Sequence, residues 1–208
     1  MAFFPILIDL QGAPCLVAGG GALALHKVRL LLEQGAAVCV VAPEICPELA
    51  ELPVELRRRK VTAEDAAGMC LVVDATGDAE AEAALAPMCR SAHIPYNCAG
   101  HGAACTAIFP AVHRQGHVTL AVSSLGASPA ASAWLRDALA AYVPEEMDAI
   151  LEEMECLRGF SREHLSEQPI RRRFLHRCLD AMLAQKAPLH PGQREELLAD
   201  FSNETSEI

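Results

Sequence analysis

Three consecutive glycines, Gly19, Gly20 and Gly21, separate the apolar run from Cys15 to Ala18 from a second apolar-rich segment that ends near Glu33. Taken as G-x-G-x-x-A, the stretch puts Gly19 at a tight turn and Gly21 where the backbone must approach a pyrophosphate. Ala24 falls where a small residue lets a helix lie against a strand. A helix starting at Ala22 and Leu23 offers phosphates its unpaired N–H groups and partial positive charge. The acid that meets a ribose hydroxyl belongs at the end of the next strand; the nearest candidate, slightly late, is Glu44, directly after Pro43. Thr76, just beyond a later apolar run, completes the residues expected to bind a dinucleotide cofactor.

Such a site needs a strand–turn–helix–strand frame. Leu25 to Glu33 carries apolar residues at 25, 28, 30, 31 and 32, and Gly35 follows as a stop signal. Ala37 to Ala42 is a continuous apolar run, as in a parallel strand covered on both faces, and Pro43 ends it. The whole spans about the thirty residues of a βαβ unit. Further strands are expected at Phe4–Leu10 (an edge), Val54–Lys60, Cys70–Ala75 and Ile94–Cys98. A short acidic helix is expected near 63–67, and an Ala/Glu helix runs from Asp78 to about Ala92. This alternation predicts an α/β, Rossmann-like parallel sheet.

Beyond it the pattern changes. Gly100–Ala104 is a glycine-rich loop, and Ala107–His113 and Gly116–Ser123 are strand-like. Pro129 opens a helix to about Tyr142. From Pro144 the chain is helical at 145–158, 161–166 and 169–185, with a short helix and a frayed tail expected in 186–208.

The 208 residues suffice for one sizeable core plus an appendage, or for two small domains. With 52% hydrophobic and only 4% aromatic residues, the core is built from Ala, Val, Leu and Ile. A net charge of −10 argues against general nucleic-acid binding. The nine cysteines show no C-x-x-C and no zinc-finger spacing with histidine, and Cys15, Cys39, Cys70 and Cys98 fall in or beside apolar runs. A reducing, cytoplasmic setting is expected. The N-terminus lacks a basic leader region and meets Asp9 early, and no apolar run reaches the roughly eighteen residues of a membrane span. No metal site is expected.

In order along the chain, Phe4-Pro5-Ile6, Gly19-Gly20-Gly21 with Lys27, Val40-Val41-Ala42-Pro43 and Asp74-Ala75-Thr76 are followed by Asn97 and Ile108-Phe109-Pro110-Ala111. Ser123-Ser124, Gly126, Ser128-Pro129, Arg136 and Arg171-Arg172-Arg173-Phe174 complete the series. With these residues the chain resembles the precorrin-2 dehydrogenases, which occur alone or as the N-terminal dehydrogenase–ferrochelatase part of siroheme synthase. The resemblance implies an NAD-binding Rossmann-like domain over 1–112, a dimerisation segment over 113–145 and a helical tetrapyrrole-cleft domain over 146–208. The implied reaction oxidises precorrin-2 to sirohydrochlorin with NAD⁺ as hydride acceptor, in a homodimer with no nucleic-acid or membrane partner.

Precorrin-2 carries eight carboxylates, so its cleft needs cationic donors. Arg136, Arg158, Arg162 and Arg171 to Arg173 are candidates, guanidinium forks being suited to carboxylates; a solvated helix face is the alternative for 171–173. Ser128, in a Gly-x-Ser-Pro turn at a helix start, is either an anion site or an N-cap. Asn97 and Ser124 complete the expected substrate contacts.

Three positions depart from the family pattern. Where it places a catalytic aspartate, this chain has Gly100, which can neither accept a proton nor bind a metal through a side chain. His101, one residue later, is the nearest substitute as base. His26 stands where arginine is usual, and Leu125 where glycine is usual. A chelatase acting through His101, or a non-catalytic tetrapyrrole carrier, are the competing expectations; ferrochelatase activity is doubtful without the aspartate.

Overall fold

The computed structural model describes residues 3–99 and 102–206. Apolar runs bounded by glycine or proline become the strands of one parallel sheet: β1 (Pro14–Ala18), β2 (Ala37–Val41), β3 (Glu55–Arg57), β4 (Leu71–Asp74) and β5 (Tyr96–Cys98). Their order is β3-β2-β1-β4-β5, with every pair parallel. Successive residues bury opposite faces. Leu16 and Ala18 join Val72, Leu85 and Tyr96 on one side, while Cys15 and Val17 join Ala24, Val28 and Val73 on the other. Both faces being covered, the strands are continuously apolar, as expected for a parallel sheet.

Helix α1 (Ala22–Leu32) covers the second face through Ala24, Val28 and Leu31. A single turn, α2 (Pro47–Ala50), and a 3₁₀ turn at Ala63–Ala66 precede α3 (Ala79–Ser91), which covers the first face through Leu85 and Cys89. Met1–Phe109 with Leu125–Ala127 form one compact unit.

The second unit comprises Pro110–Ser124 and Ser128–Ile208. It holds the antiparallel hairpin β6 (Ala111–Gln115) and β7 (Val118–Val122), against which α4 (Pro129–Ala140) packs. Helices α5 (Met147–His164), α6 (Gln168–Gln185) and α7 (Pro191–Ser206) surround a core of Ile150, Leu157, Phe174, Cys178, Met182 and Phe201.

Four expectations from sequence are corrected. Phe4–Leu10 forms no strand: both neighbours of β1 are already taken, and Phe4 and Leu7 are 84% exposed. The first hairpin strand begins at Ala111 rather than 107, because Pro110 has no N–H to donate to a ladder. Helix α5 runs unbroken through Gly159, since Ile150, Leu157 and Ser161 bury one continuous stripe that outweighs a single glycine. The segment expected as a short helix and frayed tail instead carries the sixteen-residue α7. Arg194 on that helix forms a bidentate ion pair with the buried Glu153 of α5, and Phe201 packs edge-on against Phe174 at 5.7 Å.

All nine cysteines are free thiols, six of them buried. Burial pushes the Cys15, Cys89 and Cys178 thiols up to about 11, so they serve as small apolar core residues. Among the described residues no helix is long and apolar enough to cross a membrane.

Candidate functional site

The register levels the carboxyl ends of three strands: Ala18 pairs with Val41 on one side and Asp74 on the other. The segments after them, starting at Gly19, Ala42 and Ala75, therefore leave the sheet at one edge. This is where strand order reverses, the position at which open α/β sheets bind ligands. A cavity of about 810 Å³ opens there. Gly19, Gly21, Pro43, Glu44 and Thr76, five of the residues expected from sequence, line it. Ala22 and Leu23 do not; they form the first turn of α1.

Each glycine is required for a different reason. Gly19 has φ +114°, and a Cβ there would come within 2.7 Å of the Ala75 carbonyl oxygen. A Cβ on Gly20 would lie 1.9 Å from the Glu44 carbonyl oxygen. The Gly20 carbonyl in turn accepts from the Cys46 N–H at 2.8 Å, locking the turn to the loop after β2. Gly21 is unobstructed, with nothing within 4 Å of a Cβ position. It is also the N-cap of α1, so that helix start has no side-chain cap and no acid in its first turn. Free N–H groups and a positive dipole end therefore face open space, which fits a pyrophosphate. Glu44, exposed on the same cavity, fits a ribose hydroxyl.

The far wall rests on Asp74, which is buried at the end of β4. Its Oδ1 accepts from the Thr76 hydroxyl at 2.6 Å and the Thr76 N–H at 3.0 Å. Its Oδ2 accepts from the Tyr96 hydroxyl at 2.9 Å. Burial, and then the Asp74 carboxylate, push the Tyr96 phenol above its ordinary range, so it stays a protonated donor. The Thr76 hydroxyl accepts from the Asp78 N–H at 3.1 Å, which fixes the turn into α3. The sequence motifs contain Asp74 and Gly20 but give neither a role of its own, because Tyr96 and Glu44, which define those roles, lie more than twenty residues away.

A second carboxylate shapes the same cavity. Asp65 is buried and accepts from Arg57 at 3.0 Å, from Arg59 at 2.7 and 2.5 Å, and from the Thr62 N–H at 2.9 Å. The Arg59 hydrogen bonds hold its carboxyl down to about 2. Thr62, Ala63 and Glu64, the segment it pins, line the cavity.

Asn97, on β5, donates to the Ala107 carbonyl at 3.0 Å. Around it, Thr106 and Ala107 N–H groups donate to the Tyr96 carbonyl, and the Cys98 N–H points at the Cys105 sulfur at 3.1 Å. These contacts fasten the base of the 98–105 loop. His101 and Gly100 lie outside the described residues. Lys27 is not on the cavity wall; its ammonium sits 4.1 Å over the Phe109 ring, and burial lowers its pKa.

In the second unit, the Ser128 hydroxyl caps α4 by accepting from the Ala131 N–H at 3.2 Å. The Ser124 hydroxyl donates to the Ser128 carbonyl and accepts from Ser132, so it is engaged in the turn itself. Arg136 pairs with its neighbour Asp137 at 2.7 Å. The three consecutive arginines part company. Arg171 donates to the Leu165 and Ser166 carbonyls at the end of α5, Arg172 faces a cavity between α5 and α6, and Arg173 lies 5.5 Å over the Phe201 ring.

Comparison with known proteins agrees with this geometry. Residues 6–111 match the family NAD_binding_7, described as "Putative NAD(P)-binding". The siroheme synthase of Methylococcus capsulatus is 35% identical over 191 residues, covering 90% of this chain and 40% of the relative. That of Nitrosospira multiformis is 33% identical over 217 residues, covering 100% of this chain and 46% of the relative. The chain thus spans less than half the length of these curated relatives. The solved structure of SirC, precorrin-2 dehydrogenase, has the same fold, with a TM-score of 0.68 at 23% identity over 97% of this chain and 100% of that one. The chain belongs to the NAD(P)-binding family that its residues 6–111 match, and over nine-tenths or more of its length it is similar to these siroheme synthases.

Proposed function

We propose that this chain oxidises precorrin-2 to sirohydrochlorin: one hydride passes to NAD⁺, one proton is released, and NADH leaves. The observation that carries the reading is the uncapped, acid-free start of α1 beside three glycines, in a chain similar along nine-tenths of its length to a siroheme synthase. A pure carrier has no need to hold a pyrophosphate. NAD⁺, when bound, supplies the hydride acceptor. Gly19 and Gly20 shape the phosphate turn, Gly21 with Ala22 and Leu23 presents free N–H groups, and Asp74 holds Thr76 against the cavity.

Glu44 favours NAD⁺ over NADP⁺, because a carboxylate accepts from a ribose hydroxyl and repels a 2′-phosphate. Binding titrations should give a tighter constant for NAD⁺, and Glu44→Gln should narrow the gap. His101, in place of the family's aspartate, takes the ring proton as hydride leaves. Precorrin-2 and NAD⁺ should therefore yield NADH with the native chain and little with His101→Ala. Equal rates would remove His101 as the base.

The fold unit that carries α4 also supports a homodimer. Trp134, Leu135 and Leu139 are exposed on that helix at 69%, 42% and 46%, an apolar surface of the kind that marks an interface. One observation favours a second reading. Gly100 removes the side chain that the family pattern implicates in the chemistry, which suits a tetrapyrrole carrier; such a protein would bind sirohydrochlorin and form no NADH.

A further inference from the structure

We propose that the cleft between α5 and α6 is the docking site for an acid-bearing edge of a polycarboxylate tetrapyrrole, with Arg158, Arg162 and Arg172 holding its carboxylates. The inference rests on the tetrapyrrole reading above and assigns where on the helical unit the macrocycle is gripped.

The cleft has a volume of about 440 Å³, within the ordinary range for small-ligand pockets. Met154, Leu175 and Leu179 give it an apolar lining. Arg158 and Arg162 stand one turn apart on α5, and Arg172 and His176 one turn apart on α6. No carboxylate lines it, in a chain where 27 acidic residues outnumber 17 Lys and Arg. Among the described residues, none of these three guanidinium groups has a hydrogen-bonding or acidic partner. Like charges at i and i+4 destabilise a helix, and Arg158 and Arg162 form such a pair beside this hollow.

The lining and the charges together select the ligand. A lone phosphate would satisfy the guanidiniums and leave the apolar lining bare. A pyrrole ring bearing an acetate and a propionate covers the lining and places two acids within reach of separate arginines, each able to hold a carboxylate with a bidentate fork. Arg171 also lines the cleft, but its Nη1 is held by the Leu165 and Ser166 carbonyls at the end of α5.

Uroporphyrin III, a stable tetrapyrrole with eight acid groups, is the probe, titrated calorimetrically into the whole chain. Arg158→Gln and Arg172→Gln should each weaken binding about tenfold, as loss of a charged hydrogen bond does. Arg90→Gln, which removes the same charge from exposed α3, should leave binding unchanged. Coproporphyrin III, with four acids, should bind more weakly than uroporphyrin. The proposal is overturned if the native chain does not bind uroporphyrin, if the cleft variants bind like the native chain, or if Arg90→Gln weakens binding as much. Equal affinity for the two porphyrins, or displacement of the probe by equimolar inorganic phosphate, overturns it too. NADH formation from precorrin-2 is followed in parallel. NADH with unchanged binding in the variants overturns the docking site alone, and arginine-dependent binding without NADH overturns the reaction alone.

Discussion

Gly20 and Gly21 are neighbours with opposite tolerances. At Gly20 a Cβ would strike the Glu44 carbonyl, so Gly20→Ala must displace the loop after β2. At Gly21 there is room, the backbone is extended with φ −92°, and aspartate is a favoured N-cap. Thermal unfolding should therefore show Gly20→Ala markedly less stable than the native chain and Gly21→Asp as stable or slightly more so. NAD⁺ titration should show affinity lost in Gly21→Asp, because the new carboxylate caps the helix and repels the phosphates. A Gly21→Asp variant that binds NAD⁺ normally contradicts the placement of the pyrophosphate. From sequence the three glycines look like one motif. The loop at 43–46 and Ala75, each more than twenty residues away in the chain, separate their roles. The same holds for Arg171, Arg172 and Arg173: consecutive positions on a helix point about 100° apart, so one basic run serves three purposes.

At the scale of elements, two buried carboxylates tie distant segments together. Asp65 joins β3 and its following residues to the 3₁₀ turn that borders the nucleotide cavity. Its pKa is about 2 in the folded chain, against an ordinary value of 3.8. A depressed carboxylate contributes stability above its unfolded pKa and loses it as pH falls through the folded one. Its share, about 2 kcal/mol, should fade as pH drops from about 4 to about 2. Denaturant unfolding of Asp65→Asn against the native chain checks this: the difference should be full near neutrality and shrink across that window. Glu153 does similar work between α5 and α7, through Arg194. Removing the guanidinium strands a buried charge, so Arg194→Met should cost about 3 kcal/mol, and adding Glu153→Leu should recover much of it. This pair spans 41 residues, which is why α7 was not legible as a long helix from its polar sequence.

At the scale of the molecule, the sheet and its nucleotide edge were readable because local signals suffice for them. Apolar runs buried on both faces, punctuated by Gly19–Gly21, Gly35 and Pro43, mark strands and turns without knowledge of their partners. Phe4–Leu10 shows the limit, since a run that turns directly into β1 finds both sides of that strand already paired. The helical unit was harder to read. Its arginines are specified by which helix faces meet, and Ser124 and Ser128 turn out to hold their own turn together. The exposed stripe on α4 sets a further expectation for the whole chain. Sedimentation should show a dimer that Trp134→Glu with Leu139→Glu converts to a monomer while leaving each unit folded.

The most direct measurement supplies the native chain with precorrin-2 and NAD⁺, without added metal, and follows NADH and sirohydrochlorin together. The predicted result is one NADH for each sirohydrochlorin formed, abolished by Gly21→Asp. Precorrin-2 recovered unchanged, with no NADH, would contradict the assignment.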